Sequence, residues 1–391
     1  MRIGDQEFTR LRVLKILRDY EPVARTELAR LCGLSGTTIT EIIADLLQRN
    51  LILEDKVPTG KRGRPRVNLR INADGGYVVA AYSDWHRMLQ VEIVNLGGQS
   101  VYSRSTRFAR TGKLDDFARD IAKILAETIA ASPIDQEQIM YVGVLLPAIV
   151  DSRNGAVEYI ETFPPGPSPL AAIIEETLHI PTKIEGGVNG VARAEHWFGK
   201  GPPLENLCVI VFGLGLGGAH YVNGQISSGA HGLNPELGHV KAVFDHGRQC
   251  LCGAHGCLQT YSSISAILAQ LCEITGEKLP PYHKWQKTLH KHLAAALSGE
   301  EAAGQVIERA GHYLGIAIGN LINYHDPDRI VIFFYDAALM DLITPPMSEA
   351  IEKSTLHVLR GRIAVEHKAL DSSYFWKGAA AMALEQLFRD R

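Results

Sequence analysis

The sequence predicts an α/β protein that begins with a winged helix-turn-helix module. Residues 1–72 hold three helical segments followed by two short strands, whereas apolar strands alternate with helical stretches from Tyr77 onward. Charge is also divided, because residues 1–72 carry 14 Lys and Arg against 9 Asp and Glu, and the rest of the chain has a net charge of −8. We therefore expect a small basic domain over 1–72 and a larger α/β domain over 73–391.

Length and composition limit the class of protein. A chain of 391 residues is long enough for two or three folding units of roughly 150 residues each. It has no run of roughly 18 to 20 apolar residues, and its first residues lack the apolar core of a signal peptide. We expect a cytoplasmic protein without a membrane partner. Its six cysteines should then be reduced thiols or metal ligands rather than disulfides.

Three helices are predicted at the amino terminus. Residues 7–19 place apolar side chains among Lys15 and the neighbouring arginines, which is the pattern of an amphipathic helix. A second helix over 26–31 should end in a tight turn at Gly33, and Ser35 should open a third helix. The third helix has a buried stripe formed by Ile39, Ile42, Ile43, Leu46 and Leu47.

The first turn of the third helix is a candidate DNA contact. It exposes hydroxyl side chains at Ser35, Thr37, Thr38 and Thr40. Such small side chains let the helix amino terminus approach a phosphate, and they can bond to base edges in the major groove. The same pattern also fits a plain three-helix bundle with a serine cap.

The next segment favours DNA binding over the plain bundle. Residues 51–53 and 67–71 are predicted strands, and the segment from Lys56 to Arg70, with both ends included, has six basic residues and no acidic residue. A narrow Gly-Arg-Pro tip can enter a minor groove, although a run of charge can also be only a solvated face. The candidate contacts of this wing are Arg62, Arg64 and Arg66.

A glycine-rich turn over residues 213–218 follows a predicted strand over 207–212. Turns of this kind let backbone amides approach a phosphate. A dinucleotide site would require a helix next, whereas residues 219–222 have the pattern of a second strand. A tight hairpin turn is therefore at least as good an interpretation.

Cys250, Cys252 and Cys257 lie in one loop, and His239 lies a short distance upstream. Three thiolates and an imidazole are the ligand set of a structural zinc site. The spacing Cys-x-Cys-x4-Cys is not a common zinc pattern, so reduced cysteines in a mobile loop remain an alternative at this point.

Two helical stretches complete the pattern. The region 282–297 contains His283, His290 and His292, but isolated histidines lack a ligand spacing and favour a connector with exposed imidazoles. Residues 311–322 form a small-residue apolar helix whose glycines should permit close packing against a sheet.

Together these features resemble the ROK family, which comprises repressors, uncharacterised reading frames and sugar kinases. The resemblance covers nearly the whole chain and rests on the Gly-Arg-Pro wing, residues 143–147 with Asp151, the turn at 213–218, residues 229–232 leading to 236–239, and the cysteine cluster. It implies a two-lobed actin-like (ribonuclease H-like) fold of the ATPase type. Lobe 1 would cover about 73–184 plus the C-terminal helix, and lobe 2 about 185–376. It also implies that zinc is bound by His239, Cys250, Cys252 and Cys257.

The sequence departs from the kinase members of the family at three places. Bulky residues over 81–86 replace their Asp-x-Gly-Gly-Thr phosphate loop and would block backbone approach to phosphates. Gly187 stands where the kinases carry a general base, whose loss costs roughly 10² to 10⁴-fold in rate. Phe333, Phe334 and Tyr335 replace a glycine pair at the nucleotide position. We therefore expect no catalytic residues.

The resemblance implies a sugar pocket that is only partly kept. Glu236 and His239 remain, Gln259 replaces a glutamate, and glycines stand at 186 and 187. We expect Glu236, His239 and Gln259 to be effector contacts, since a metal-bound imidazole commonly uses both ring nitrogens. An alternative role for Glu236 is to fix the zinc loop.

The sequence therefore predicts a transcriptional regulator, a repressor of carbohydrate-related genes, with zinc as cofactor and an inactive domain for dimerisation and effector sensing. A homodimer or homotetramer would bind a palindromic operator in double-stranded DNA and respond to a sugar or sugar derivative. Two alternatives are a sugar kinase with an appended DNA-binding domain and a regulator whose larger domain senses a protein partner.

Overall fold

The computed structural model describes residues 3–57, 66–84, 88–108, 112–160, 163–164, 166–201 and 204–386. Its helices are α1 (Ile3–Tyr20), α2 (Arg25–Cys32), α3 (Gly36–Gln48), α4 (Leu114–Ala131), α5 (Leu170–Leu178), α6 (Gly187–Phe198), α7 (Ile264–Thr275), α8 (Trp285–Leu297), α9 (Glu301–His325), α10 (Ala337–Ser354) and α11 (Ser373–Gln386). Its strands are β1 (Val23–Ala24), β2 (Ile52–Val57), β3 (Arg66–Ile71), β4 (Tyr77–Ser83), β5 (Met88–Asn95), β6 (Ser100–Arg107), β7 (Ile139–Leu146), β8 (Ile149–Asp151), β9 (Ala156–Tyr159), β10 (Thr182–Gly186), β11 (Leu207–Phe212), β12 (Leu216–Val222), β13 (Gln225–Ile226), β14 (Arg329–Phe334) and β15 (Ala364–Ala369). None of the helices in these ranges is both long and apolar enough to cross a bilayer.

The chain divides into two compact units. Unit 1 comprises residues 1–203, 224–234 and 372–391, and unit 2 comprises residues 204–223 and 235–371. The predicted domain over 1–72 lies within unit 1. Helix α6 packs on α11 inside unit 1, so unit 2 begins at Leu204, later in the chain than the predicted lobe boundary near 185.

The amino-terminal part of unit 1 has the predicted helices and wing strands. Helix α2 ends at Gly33 in the left-handed conformation (φ 62°), and Ser35 caps α3 by accepting a hydrogen bond from the Thr38 amide. Strand β3 lies between β1 and β2 and is antiparallel to both. The predicted stripe of α3 faces the interior, with Leu47 half-buried at its end.

A five-stranded sheet forms the centre of the larger part of unit 1. Its strand order is β10-β7-β4-β5-β6, in which β4, β7 and β10 are parallel and β5 and β6 are antiparallel additions. Alternate residues of β4 join α4 and α5 in one apolar core, and α11 also packs against β4. Every residue of β4 is buried, which explains why the strand is apolar from Tyr77 to Tyr82, before Ser83.

Four strands of unit 2 repeat the same connectivity. Strands β11 and β12 form an antiparallel hairpin, and β14 and β15 add in parallel beside β11, as β7 and β10 add beside β4. The glycine-rich turn therefore belongs to a hairpin rather than to a strand-to-helix junction. Within it the amide of Gly213 donates to the carbonyl of Gly215 at 3.0 Å.

The glycine face of α9 packs against helix α10 rather than against a sheet, whereas apolar residues of α9 share a core with strands β11 and β14. Cβ atoms at Gly311, Gly315 and Gly319 would lie 2.8, 2.3 and 2.6 Å from the nearest atoms of α10. These glycines recur every four residues and share one side of the helix. Their spacing predicts a face that permits close approach, but it does not identify the element that covers this face.

Candidate functional site

The first turn of α3 presents most of the predicted hydroxyl groups at the surface. The Ser35 and Thr38 hydroxyl oxygens are 2.8 Å apart, and the Thr40 hydroxyl donates to the Gly36 carbonyl at 2.7 Å. Ser35, Thr37 and Thr40 are exposed, and Thr38 is half-buried. The turn therefore has the chemistry to meet a phosphate or a base edge.

The wing is described only in its strands. Strands β2 and β3 pair along their length, and Arg70 forms an ion pair with Asp55 at 2.8 Å. Two of the predicted contacts, Arg62 and Arg64, lie outside the described residues, and Arg66 begins β3.

A buried lysine joins α1 to the end of α6 within unit 1. Lys15 is 1% exposed, and its ammonium donates to the carbonyls of Trp197 (2.9 Å) and Gly199 (2.8 Å). Arg18 donates to the Trp197 carbonyl at 2.6 Å, and its guanidinium lies 4.9 Å from the centre of the Phe198 ring. Carbonyls at the end of a helix lack intrahelical partners and carry partial negative charge, so the two cations satisfy this end of α6.

The burial of Lys15 is a feature that sequence reasoning missed. An amphipathic pattern places a lysine among arginines on the polar side, and the acceptors that permit burial come from a segment far along the chain. Burial, and then the nearby Arg18 guanidinium, lower the pKa of Lys15 to about 8. No local pattern around Lys15 identifies these distant carbonyls.

The start of α6 holds Gly186 and Gly187, the two glycines expected to stand where the kinases carry polar residues. The Asn189 amide donates to Asn234 at 2.6 Å and to Glu185 at 3.3 Å, and Asn189 is fully buried. The Oδ1 atom of Asn189 has no hydrogen-bond partner among the described residues. A side chain at Gly186 would begin 2.6 Å from the Asn234 amide nitrogen, so Asn234 occupies the space that a larger residue would need.

An aromatic pair fills the end of β4. The rings of Tyr82 and Phe375 stack with their centres 4.1 Å apart and their planes within 7° of parallel. A Cβ atom at Gly187 would lie 3.5 Å from the same Phe375 ring. Trp85 and His86, also predicted to block phosphate approach, lie outside the described residues.

Another aromatic residue, Tyr335, lies over the glycine-rich turn of unit 2. Phe333 and Phe334 are buried in β14, and Tyr335 follows them. Atoms of the Tyr335 ring lie 2.6 and 2.8 Å from the position of a Cβ at Gly213. The Tyr335 ring therefore covers Gly213, in the turn for which phosphate binding was one of two interpretations.

A buried ion network connects three segments of unit 1. Arg193 of α6 donates to both carboxylate oxygens of Glu185, at 2.7 and 3.2 Å, and its third nitrogen pairs with Glu385 of α11. All three side chains are at most 5% exposed. The guanidinium is thus shared by two carboxylates that are almost completely buried.

The four predicted zinc ligands come together in unit 2. Ligand atoms of His239, Cys250, Cys252 and Cys257 lie within 4.8 Å of one another. The sulfurs of Cys252 and Cys257 are 3.7 Å apart, as are the Nδ1 of His239 and the sulfur of Cys250. Zinc bond lengths at a tetrahedral angle place two sulfurs about 3.8 Å apart, and sulfur and nitrogen about 3.6 Å apart. The donor set and its spacing therefore fit a tetrahedral zinc ion.

Two side chains donate to the sulfurs of this cluster. The Lys241 ammonium lies 3.4 Å from the Cys257 sulfur, and the Gln259 amide lies 3.3 Å from the Cys250 sulfur. Burial raises the pKa of Cys250, but hydrogen bonds from the Cys252 backbone and from Gln259 outweigh this effect, so its pKa lies below its usual value. The donors to Cys250 favour its thiolate form, which is the form that binds a metal, whereas burial raises the pKa of Cys257 despite the nearby Lys241 ammonium.

The predicted effector residues all lie at the edge of this cluster. The Nε2 atom of His239 lies 4.0 Å from a carboxylate oxygen of Glu236, whose side chain is about half exposed. His239 thus turns Nδ1 toward Cys250 and Nε2 toward Glu236. Gln259 uses its amide on a thiolate, a role that sequence reasoning did not assign to it.

Known proteins share this architecture. A family model described as the ROK family matches residues 90–386. The DNA-binding transcriptional repressor Mlc of Escherichia coli is 26% identical over 376 residues, which cover 94% of this chain and 91% of that protein. The xylose repressor of Caldicellulosiruptor bescii is 22% identical over 387 residues, which cover 98% of this chain and 96% of that protein.

Solved structures agree with the sequence comparison. The crystal structure of a ROK family transcriptional regulator, a homolog of Escherichia coli MLC, has a TM-score of 0.79 at 25% identity and covers 98% of this chain and 96% of its own. The ROK hexokinase from Thermus thermophilus, at 19% identity and a TM-score of 0.64, covers 80% of this chain and 99% of its own and shows the fold alone. The predicted α/β fold class is confirmed by these likenesses. Since the family model spans most of the sequence, the chain belongs to the ROK family.

Proposed function

We propose that this protein is a DNA-binding transcriptional regulator that represses carbohydrate-related genes. The observation that carries the proposal is a winged helix-turn-helix joined to a ROK domain in one chain. Relatives named as repressors match that chain over 94% and 98% of its length. In the proposed complex α3 lies in the major groove, with Ser35, Thr37 and Thr40 toward the DNA, and the basic wing reaches an adjacent minor groove.

The test is a selection of genomic DNA fragments by the purified protein. Fragments retained at a low and a high salt concentration would be sequenced, because nonspecific phosphate binding weakens steeply with salt. We expect a few fragments that share an inverted repeat and lie near genes of carbohydrate metabolism. The proposal would be contradicted if the protein retained random fragments at low salt and none at high salt.

The ROK domain is proposed to be catalytically inactive. Gly187 has no side chain to accept a proton, and the Tyr82 and Phe375 rings occupy the end of β4 where the kinase members hold phosphates. The purified protein, given ATP and a panel of hexoses and N-acyl hexosamines, should transfer no phosphate above a heat-denatured control. Turnover with any of these sugars would support the alternative of a kinase with an appended DNA-binding domain.

Zinc is the proposed cofactor of unit 2. Once bound, it would hold the loop that carries three of its ligands, and a site with four protein ligands leaves no position for a reactive water. Cys252→Ser should remove one equivalent of tightly bound metal and lower the melting temperature, whereas Cys32→Ser, at a cysteine outside the cluster, should keep the metal. Equal metal content in both variants would exclude this ligand set.

A sugar or sugar derivative is the proposed effector. Helix α6 supplies the physical link within unit 1, because its first turn carries Gly187 and Asn189 and its last carbonyls hold Lys15 of α1. A ligand that prefers one position of α6 would shift the population of DNA-competent molecules. We expect one member of a sugar panel both to raise the melting temperature and to release operator DNA. A protein partner would be favoured if no sugar changed either property.

A further inference from the structure

A second group of metal-binding side chains lies in unit 2, apart from the zinc cluster. Cys272 is near the end of α7, Glu277 follows that helix, and His292 belongs to α8. Their ligand atoms lie within 4.8 Å of one another. Cys272 and His292 are each 2% exposed, and the Glu277 side chain is 38% exposed. The proposed function makes no use of these three residues.

The spacing of this group matches metal ligation better than hydrogen bonding. The Nε2 atom of His292 is 3.7 Å from an oxygen of Glu277, which is too long for a hydrogen bond. This buried nitrogen has no other hydrogen-bond partner among the described residues. Zinc bond lengths at a tetrahedral angle would place the nitrogen and oxygen ligands about 3.4 Å apart. If the distance between these two atoms shortened by a few tenths of an ångström, both could bind one ion.

The local backbone holds Glu277 over the end of α7. Gly276 ends this helix in the left-handed conformation (φ 69°), and the Glu277 amide then donates back to the Cys272 carbonyl at 2.8 Å. The Lys291 ammonium donates to the Oε1 atom of Glu277 at 2.5 Å. The other carboxylate oxygen, Oε2, is the one that faces His292.

We propose that Cys272, Glu277 and His292 form a second metal site, which binds a divalent cation of the zinc class and leaves its fourth position to water. A thiolate with an imidazole excludes Mg²⁺ and Ca²⁺, which prefer oxygen ligands alone. Binding converts the Cys272 thiol to a thiolate and releases its proton to solvent. The second site has three protein ligands and the cysteine cluster has four, so the second site exchanges its ion faster. The bound ion connects α7 to α8.

The first test counts zinc in the full-length protein. Metal-free protein would be dialysed against buffered zinc and its bound metal measured by mass spectrometry. We expect two equivalents in the wild type and one in Cys272→Ala. Cys208→Ala is the matched control, because Cys208 is equally buried but belongs to neither cluster, and it should keep two. One equivalent in the wild type, lost in Cys252→Ser and unchanged in Cys272→Ala, would overturn the proposal.

A second variant guards against misfolding of Cys272→Ala. Glu277→Gln changes a partly exposed side chain and should weaken the second equivalent without affecting the first. Cobalt(II) then distinguishes the two sites, since the cysteine cluster supplies three thiolates to the metal and the second site only one. The second cobalt equivalent should therefore add a smaller thiolate-to-metal absorption, which Glu277→Gln shifts to higher cobalt concentration. An identical cobalt titration of Glu277→Gln and the wild type would also overturn the proposal.

Discussion

Unit 1 holds charged side chains in its interior. Arg193 lies between Glu185 and Glu385, so one cation serves two carboxylates that are shielded from water. A buried network of this kind is stable only while the cation is present, because a lone buried carboxylate loses its hydration without compensation. Lys15 is a different case, since its acceptors are neutral carbonyls and its own burial lowers its pKa.

We predict that Arg193→Met destabilises the protein by about 3–5 kcal/mol, the usual range for breaking a buried ion pair. The free energy of unfolding would be measured by urea denaturation at pH 7. The matched control is Arg119→Met, which removes an exposed pair with Asp116 and should cost at most about 1 kcal/mol. Equal losses in the two variants would mean that burial does not set the strength of the network.

A pH dependence is predicted for Lys15. Its pKa is about 8 in the folded protein against 10.5 ordinarily, so between these values the unfolded chain binds more protons. The unfolding free energy of the wild type should therefore rise relative to Lys15→Met as the pH increases from 7 to 9.5. Urea denaturation at several pH values measures this difference, and Lys353→Met, at an exposed lysine, controls for loss of an ammonium group. A difference that does not vary with pH would contradict the prediction.

Among the elements, the pair α9 and α10 packs closely because α9 lacks side chains on the face that meets α10. The glycine face of α9 brings its backbone against α10, and Gly315 lies closest, with its missing Cβ 2.3 Å from the Met347 carbonyl oxygen. Dense interiors do not absorb an added methyl group without moving the backbone. The same helix has Gly304 near its start, where no atom lies within 4 Å of the missing Cβ.

We predict opposite effects for the same substitution at these two positions. Gly315→Ala should destabilise unit 2 by about 1–3 kcal/mol, because the two helices must separate. Gly304→Ala should stabilise it by about 0.5–1 kcal/mol, because alanine loses less backbone entropy in a helix. Thermal unfolding monitored by circular dichroism gives both values. Stabilisation by both substitutions would show that α9 and α10 can move apart without loss.

At the scale of the whole molecule, unit 2 has an exposed apolar surface. Phe244 and Tyr324 are each 85% exposed, and both line a groove of about 620 Å³ between the region after His239 and helix α9. Exposed aromatic residues beside an apolar groove are typical of a protein interface. A second copy of the chain that covered this groove would make it the interface of the predicted homodimer.

If the predicted homodimer forms across this groove, Phe244→Asp and Tyr324→Asp should each shift the protein toward the monomer, because a carboxylate at a closed apolar contact must lose its water. Light scattering coupled to size-exclusion chromatography measures the mass. Leu297→Asp is the control, since Leu297 is 70% exposed but does not line the groove. A dimer that persists in both groove variants would place the interface elsewhere.

Local patterns predicted the elements well but not their distant partners. Strand β11 over 207–212 has the predicted bounds, Ser35 caps α3 as predicted, and the four predicted zinc ligands come together. The exposed imidazole expected at His292 is wrong, because this residue is buried beside Cys272. Periodicity reports which side of a helix is apolar. It does not report which residue, twenty or more positions away, offers a ligand or an acceptor.

The docking of α1 on α6 has a consequence for genetics. Helix α6 has twelve residues and a length of roughly 18 Å, with the replaced kinase segment at one end and the Lys15 carbonyls at the other. A helix of this length is rigid, so a rotation of its first turn also rotates its last turn. If the proposed effector acts through this helix, cells selected for loss of the response to it should carry substitutions inside α6, at buried positions such as Ala192 and Ala194. Such substitutions would leave the proposed DNA contacts and the proposed effector residues unchanged.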